Sequence, residues 1–214
     1  MPIGRSVFTV WLSEDGSMPD LVKECIESQQ KMCSDFGYTH KIIGFDNKFK
    51  DAKYAQECLN SPHKKKKWCK YSDYLREKTL FDEGGIYLDA DVLCLPGKNF
   101  DDMLGHEMFC GKEKFFPSMG SAWLGSAVIG AEPHHWFMKE WISEVESKFR
   151  GFDEKNFESS MQILTNNFYL ASAKYPDKMI IYEPEYFFPY CHFDNSTNIT
   201  ENTRVIHKFL KSWI

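Results

Sequence analysis

The sequence predicts an α/β fold with a central, mostly parallel sheet flanked by helices, in one domain. Three observations lead there. Strand-type and helix-type segments alternate through the first half of the chain. The 214 residues are 43% hydrophobic, which suits one core of substantial size. No repeat or low-complexity linker divides the chain.

The elements follow in order. Ser6 to Leu12, SVFTVWL, is β-branched and aromatic and reads as the first strand. Ser13 to Ser17 is a loop. Pro19-Asp20 opens a helix that runs to about Phe36, with Leu21, Ile26 and Met32 on its apolar side, and Gly37 ends it. Thr39 to Phe45 is a second strand. Asp46 to Pro62 is polar, with a weak helix around Ala52 to Leu59. A long helix from about Lys65 to Glu83 stops at Gly84-Gly85, and Ile86 to Leu95 follows as a strand. The second half is less regular. It has short strands near Met108 to Gly111 and Ala122 to Gly130, then a helix from Pro133 to Phe149 with Trp136, Phe137, Trp141 and Val145 as its apolar side. A helix from Phe157 to Lys174, a strand from Met179 to Tyr182, and an aromatic, proline-punctuated loop from Glu183 to Tyr190 complete it.

Composition excludes several classes. A net charge of -5 does not suit a nucleic-acid groove. The one basic run, Lys64 to Lys67, reads either as the solvated start of a helix or as a local attraction for phosphates. The seven Cys contain no CxxC pair, so free thiols in a reducing compartment are expected rather than a structural zinc site. The N-terminal apolar stretch is too short for a signal peptide, and no run approaches the roughly 18 residues that span a bilayer. A soluble, cytoplasmic chain is expected, in the host cytoplasm if the chain is viral. The sequons at Asn195 and Asn198 would matter only in a secreted protein. Aromatics make up 16% of the chain, and most of its 18 Phe are assigned to the core.

The segment that carries chemistry is GGIYLDADVLCL, Gly84 to Leu95. On a strand, Asp89 and Asp91 project to the same side, with Ala90 turned away. They follow Ile86-Tyr87-Leu88, at the carboxyl end of the strand, where ligands of open α/β sheets bind. Two carboxylates there repel each other unless a divalent cation joins them. Hard oxygen ligands suit Mg²⁺ or Mn²⁺ and the handling of a phosphate or diphosphate leaving group. Chance alone gives about one DxD in a chain with 14 Asp, so the weight lies in the context, a buried-type strand directly after a Gly-Gly helix stop. Asp73 and Arg76 add to it, standing i, i+3 on one face of the preceding helix. They read either as a surface ion pair or as a polar face turned into the same crevice, Asp73 toward a sugar or ribose hydroxyl and Arg76 toward a phosphate.

Together, Lys70-Tyr71-Ser72-Asp73-Tyr74-Leu75-Arg76 and Phe81-Asp82-Glu83-Gly84-Gly85-Ile86-Tyr87-Leu88-Asp89-Ala90-Asp91-Val92 resemble the core signature of the DXD sugar-transferase family, glycosyltransferase family 32. Its members include yeast initiating mannosyltransferases and bacterial capsular polysaccharide transferases, and the catalytic domains of large clostridial toxins carry a related signature. Thr9-Val10-Trp11-Leu12 is similar to that family's first strand, Val128 to Glu132 to its middle strand, and Tyr182 to Pro189 with Ile199 to His207 and Ser212-Trp213 to its C-terminal block. The resemblance implies a GT-A fold with a metal-dependent donor site. The nucleotide-binding half would be about residues 1–97 and the acceptor side about residues 98–214.

Carried over residue by residue, the resemblance makes Asp91 the main metal ligand and Asp89 a ligand of ribose, metal or both, with His207 the third metal ligand. Asp73 and Arg76 would hold donor sugar and diphosphate, with Ser72 and Ala90 in the same donor-binding set. Thr9, Val10 and Trp11 would line the nucleobase pocket, and His207, Ser212 and Trp213 would close over the diphosphate. Trp11 and His207 also read as core residues. The implied cofactor is Mn²⁺ or Mg²⁺. The implied partners are a nucleotide-diphosphate sugar, foremost a UDP-hexose, and a carbohydrate acceptor, with no nucleic acid and no membrane span. Further domains could follow the C-terminus.

The family implies retention of anomeric configuration. An inverting enzyme would need a carboxylate base, for which Glu132, Glu158 and Asp194 are candidates. Two segments depart from the family pattern, Leu124-Gly125-Ser126-Ala127 and Glu158-Ser159-Ser160-Met161, and they leave sugar, acceptor and stereochemistry open. Two rivals are a sugar-nucleotide-binding module without turnover and a phosphatase of the haloacid dehalogenase type. The phosphatase would want Thr or Val where Leu93 stands, and a downstream GDxxxD cluster that the chain lacks.

Overall fold

Along the chain run β1 (Ser6–Val10), α1 (Asp20–Phe36), β2 (Thr39–Ile43), α2 (Lys53–Leu59), α3 (Lys64–Glu83), β3 (Gly85–Leu88), β4 (Val92–Cys94), β5 (Met108–Lys112), β6 (Leu124–Ala131), α4 (Trp136–Lys148), α5 (Ser160–Lys174), β7 (Met179–Tyr182), α6 (Pro184–Phe187) and β8 (Val205–His207). The structure, a computed structural model, describes residues 2–61, 64–113, 123–148, 160–190 and 196–210. Six strands form the central sheet in the order β2-β1-β3-β6-β5-β7. β1 is parallel to β2 and β3, and β5 to β7, while β6 runs antiparallel to both β3 and β5. The sheet is therefore mostly parallel, as the alternation of elements predicts.

Strand alternation divides the core between the two faces of the sheet. Phe8, Tyr87 and Ile129 join the cluster built with α2, α3, α4 and α5, including Tyr71, Leu75, Trp141 and Phe168. Val7, Ile86, Leu88 and Val128 face the other way, onto Met32 and Cys33 of α1, Val92 and Cys94 of β4, Phe187 of α6 and Val205 of β8. α1 buries Val22, Cys25, Ile26, Gln29, Met32 and Cys33, a helical-period stripe, and ends in a left-handed Gly37. Leu21, expected on that apolar side, is instead exposed, because the stripe runs through its neighbour Val22. α3 packs on β1, β3 and β6 and also touches α2 and α4. It accordingly buries polar Arg76 and Glu77 as well as Tyr71 and Leu75.

The expected single strand from Ile86 to Leu95 is two strands. The chain leaves the sheet after Leu88, turns through Ala90-Asp91 with Val92 N–H donating to Asp89 O at 3.0 Å, and enters β4. β4 pairs antiparallel with β8 in a separate two-stranded ribbon. The two aspartates thus occupy a turn rather than alternate positions of one strand. Residues 183–190, expected as loop, contain the one-turn helix α6. The predicted ends at Ala122, Phe149 and Phe157 lie outside the described residues, as do Cys191 and Asn195. The six described cysteines are free thiols. Among the described residues no helix is long and apolar enough to cross a membrane.

The Gly-Gly stop is a steric requirement. Gly84 and Gly85 both have positive φ, 65° and 110°. A Cβ on Gly85 would lie 2.5 Å from Ser6 O and 2.9 Å from the Phe8 ring. Only the missing side chain lets β3 dock beside β1 immediately after α3. Gly85→Ala is expected to destabilise the fold by about 2–5 kcal/mol, through a strained backbone and an overpacked strand pair. Denaturant unfolding, read as a lowered midpoint, checks this.

Candidate functional site

The acidic turn at the carboxyl end of β3 meets the end of β8. In the ribbon Val92 pairs with His207, which brings the imidazole over the turn. His207 Nε2 lies 3.2 Å from Asp91 Oδ1 and 3.9 Å from Asp89 Oδ2. One atom from each of Asp89, Asp91 and His207 falls within 4.8 Å of the others. The protein binds one oxygen of each carboxylate: Asp91 Oδ2 accepts the Leu210 N–H at 2.8 Å, and Asp89 Oδ1 accepts the Tyr87 hydroxyl at 2.6 Å. The other oxygen of each faces His207. His207 Nδ1 is buried without a hydrogen-bond partner, and the ring stands against Phe188 and Phe209. Two carboxylate oxygens and one imidazole nitrogen, turned toward one point, make a donor set that fits a divalent ion.

The three side chains shift one another's ionisation. Burial raises the Asp91 carboxyl, but the His207 hydrogen bond and charge outweigh it, and its pKa is held below the usual carboxylate range. His207 moves the opposite way. Burial lowers it, yet Asp91, Asp89 and Glu113 raise it above the ordinary histidine value. Asp89 is raised by burial and by Asp91 despite the neighbouring Arg76.

Arg76 lies beneath this group and is 3% exposed. It forms an ion pair with Asp73 Oδ1, approaches Asp89 Oδ1 at 3.7 Å, and stacks over the Tyr87 ring at 5.2 Å. Its Nε is buried without a partner. Asp73 and Arg76 thus form no surface pair; they belong to the same charged network as Asp89. Ala90 is buried against Trp11, Val22, Ile26 and Leu210. Trp11 is half-buried and its indole N–H donates to Ser17 O at 2.9 Å. Val10 is in the core, and Thr9 is wholly buried with its hydroxyl bonded to Gln29. Ser72 is half-buried on α3. Ser212, Trp213, Glu158 and Asp194 lie outside the described residues, as do the side chains of residues 64–66. Glu132 follows the far end of β6, away from the acidic turn.

Sequence reasoning missed several members of the site. Tyr87 could have been found, since it stands at i−2 from Asp89. Gln29 and Glu113 carry no local signal. Glu113 follows β5 at the same end of the sheet, and its carboxyl is raised by burial while feeling His207 and Asp89. A second group, Glu107, Glu132 and His135, gathers at the opposite end. There Lys178 already occupies Glu107 Oε1 at 2.6 Å. The Phe137 N–H donates to His135 Nδ1 at 3.3 Å, which leaves the ring hydrogen on Nε2 and no imidazole lone pair facing the acids.

The sequence pattern of the family described as capsular polysaccharide synthesis protein matches residues 3–145. The chain belongs to that family. The match covers Asp73, Arg76, Asp89 and Asp91 and ends before His207. An uncharacterised glycosyltransferase of Acanthamoeba polyphaga mimivirus is 29% identical over 137 residues, which are 62% of this chain and 51% of the relative. The chain therefore spans about half the length of that curated relative. Two solved structures share the fold. One is a glycosyltransferase involved in glycosylation of the major capsid of PBCV-1, with TM-score 0.55, 13% identity, and coverage of 94% of this chain and 92% of that one. The other is the PaToxG glycosyltransferase, with TM-score 0.52, 16% identity, and coverage of 79% and 69%. These likenesses support the GT-A-type architecture expected from the sequence.

Glu77, next to Arg76, is wholly buried. Its Oε1 accepts the Ser160 hydroxyl, and its Oε2 has no partner. Burial pushes its carboxyl up to about 8, from an ordinary value of 4.5, against the pull of Arg76. Folding therefore favours the protonated acid. Its contribution is present in full below the ordinary value and is lost as pH rises toward about 8, by on the order of a few kcal/mol. Glu77→Gln keeps the shape and an acceptor for Ser160 but cannot ionise. Between about pH 5 and about pH 8, the wild-type thermal midpoint is expected to fall further than that of the variant. An equal wild-type-to-variant difference at both pH values would refute the assignment.

Proposed function

We propose that this chain is a metal-dependent glycosyltransferase that moves a sugar from a nucleotide-diphosphate donor, a UDP-hexose, to a glycan or glycoprotein-glycan acceptor. The observation that carries this reading is the meeting of Asp89, Asp91 and His207 at the carboxyl end of β3, with one oxygen of each carboxylate turned toward the His207 imidazole. Family membership and the shared fold support it. The mixed oxygen and nitrogen donor set favours Mn²⁺ over Mg²⁺. A bound ion would supply positive charge to the diphosphate as it leaves.

The chain's own residues do the rest. Asp89, Asp91 and His207 would hold the ion. Arg76, pinned by Asp73 and Asp89, keeps a fixed positive charge under the site, which needs no reorganisation as the leaving group gains charge. Asp73, partly exposed beside it, offers its second oxygen to a donor hydroxyl. The half-buried Trp11, in contact with the Ala90 cluster, forms a wall for the nucleobase, with Thr9 and Val10 supporting it from β1. In this reading Ser72 joins the donor contacts, Ser212 and Trp213 close over the diphosphate, and residues 1–97 serve the donor while residues 98–214 face the acceptor. Retention of configuration and a cytoplasmic location belong to the same proposal.

Mn²⁺-dependent hydrolysis of UDP-hexoses, in the absence of acceptor, tests turnover against mere binding. Asp91→Asn is expected to lower it about 10²–10³-fold, and calorimetry should show the loss of Mn²⁺-dependent UDP-hexose binding. Intact metal-dependent binding in that variant would remove the assigned site. Binding without hydrolysis by the wild type would favour a sugar-nucleotide-binding module.

A further inference from the structure

Gln29 projects from the middle of α1 and is wholly buried. An amide inside a protein is costly unless its donors and acceptors are all used. Here they are. The Gln29 amide nitrogen donates to two backbone carbonyls, Asp89 O at 3.0 Å and Val92 O at 2.9 Å. Gln29 Oε1 accepts the Thr9 hydroxyl at 2.6 Å and lies 3.2 Å from His40 Nε2. Both N–H groups and the acceptor oxygen are thus satisfied, and the orientation of the amide is settled by its partners. A flipped amide would turn its oxygen onto two carbonyls.

The two carbonyls are the first and last residues of the acidic turn. Only the Val92 N–H to Asp89 O bond closes that turn from within. Outside it, Asp89 N–H is held by Ala127 O, and Asp91 O accepts the Lys208 N–H. Among the described residues, Gln29 alone spans both ends of the turn with a single side-chain group. Its own orientation is set by Thr9 on β1 and His40 on β2, so two strands of the main sheet reach the turn through this one side chain.

We propose that Gln29 is a positioning residue for the divalent-ion site: by bridging the Asp89 and Val92 carbonyls, with Thr9 orienting its amide, it holds the turn so that the Asp89 and Asp91 carboxylates face His207 together. The inference rests on the reading of Asp89 and Asp91 as ion ligands. It accounts for a buried glutamine in an otherwise apolar stripe, and it gives Thr9 a role through Gln29. Partners of this kind govern metal affinity without touching the metal.

Gln29→Met keeps volume and removes the bridge. Thr9→Val removes the hydroxyl that orients Gln29, and Thr9→Ser restores it. Each full-length variant is titrated with Mn²⁺ alone and with Mn²⁺ plus UDP, read by paramagnetic resonance of the free ion, beside circular dichroism and the thermal midpoint. The Mn²⁺ concentration for half-maximal donor hydrolysis is then compared with kcat at saturating Mn²⁺. Gln29→Met and Thr9→Val are expected to fold cooperatively and bind Mn²⁺ about 10–100-fold more weakly. The half-maximal Mn²⁺ concentration should rise while kcat at saturation changes far less, and Thr9→Ser should bind as the wild type does. If Gln29→Met fails to fold, the two Thr9 variants decide. Wild-type Mn²⁺ affinity in a folded Gln29→Met, or in Thr9→Val where that variant decides, overturns the proposal. Asp91→Asn separates the two levels. If it loses Mn²⁺ while Gln29→Met retains it, this inference alone fails. If Asp91→Asn binds as tightly as the wild type, or the wild type binds no Mn²⁺, the ion-site reading fails and this inference with it.

Discussion

The site depends on a two-stranded ribbon only three residues long. Pairing of Val92 with His207 carries an imidazole from near the end of the chain onto a turn formed before its middle. Two short strands are marginal by themselves. The ribbon persists because Val92, Cys94 and Val205 are buried against α1 and the sheet. The segment after β8 binds the turn directly, with the Lys208 N–H on Asp91 O and the Leu210 N–H on the Asp91 carboxylate. Removing that pairing would leave Asp89 and Asp91 without the third member of their group.

Burying Arg76 beside the half-buried Asp73 and Asp89 is expensive in desolvation, and such a network is weak support for stability. Its value lies in geometry. Tyr87, Arg76 and the Leu210 N–H each engage one oxygen of a carboxylate and so orient the other. A carboxylate free to rotate would pay that ordering cost on ligand binding. Apolar burial of α3 through Tyr71, Tyr74, Leu75 and Leu80 offsets that cost during folding. The same packing raises the carboxyl of Glu77, one residue from Arg76, above the range of a surface glutamate.

The family match and the fold comparisons bear on different parts of this arrangement. The matched segment contains the α3 pair and the acidic turn, whereas His207 comes from a part of the chain beyond it. The fold shared with two solved glycosyltransferases at low identity accounts for the sheet. A shared fold by itself assigns no chemistry, which rests on the particular side chains that the fold carries.

Much was legible in the sequence because its causes are local. β-branched runs, helical periodicity and the Gly84-Gly85 stop act within a few residues, so the elements and their mostly parallel arrangement could be read in order. Asp73, Arg76, Asp89 and Asp91 were legible as a motif, and His207 through the resemblance. The expected geometry was nevertheless mistaken, since strand alternation seemed to align the two aspartates. Period-2 alternation holds only while a strand continues, and here the chain leaves the sheet at Asp89. Which oxygen of each carboxylate faces His207, that Arg76 is buried, and that Gln29 spans the turn were decided only by tertiary structure. Those facts come from contacts between residues far apart in sequence, such as Gln29 with Val92 and Asp91 with Leu210. No short-range pattern encodes such contacts, because they exist only once α1, the ribbon and the sheet have packed.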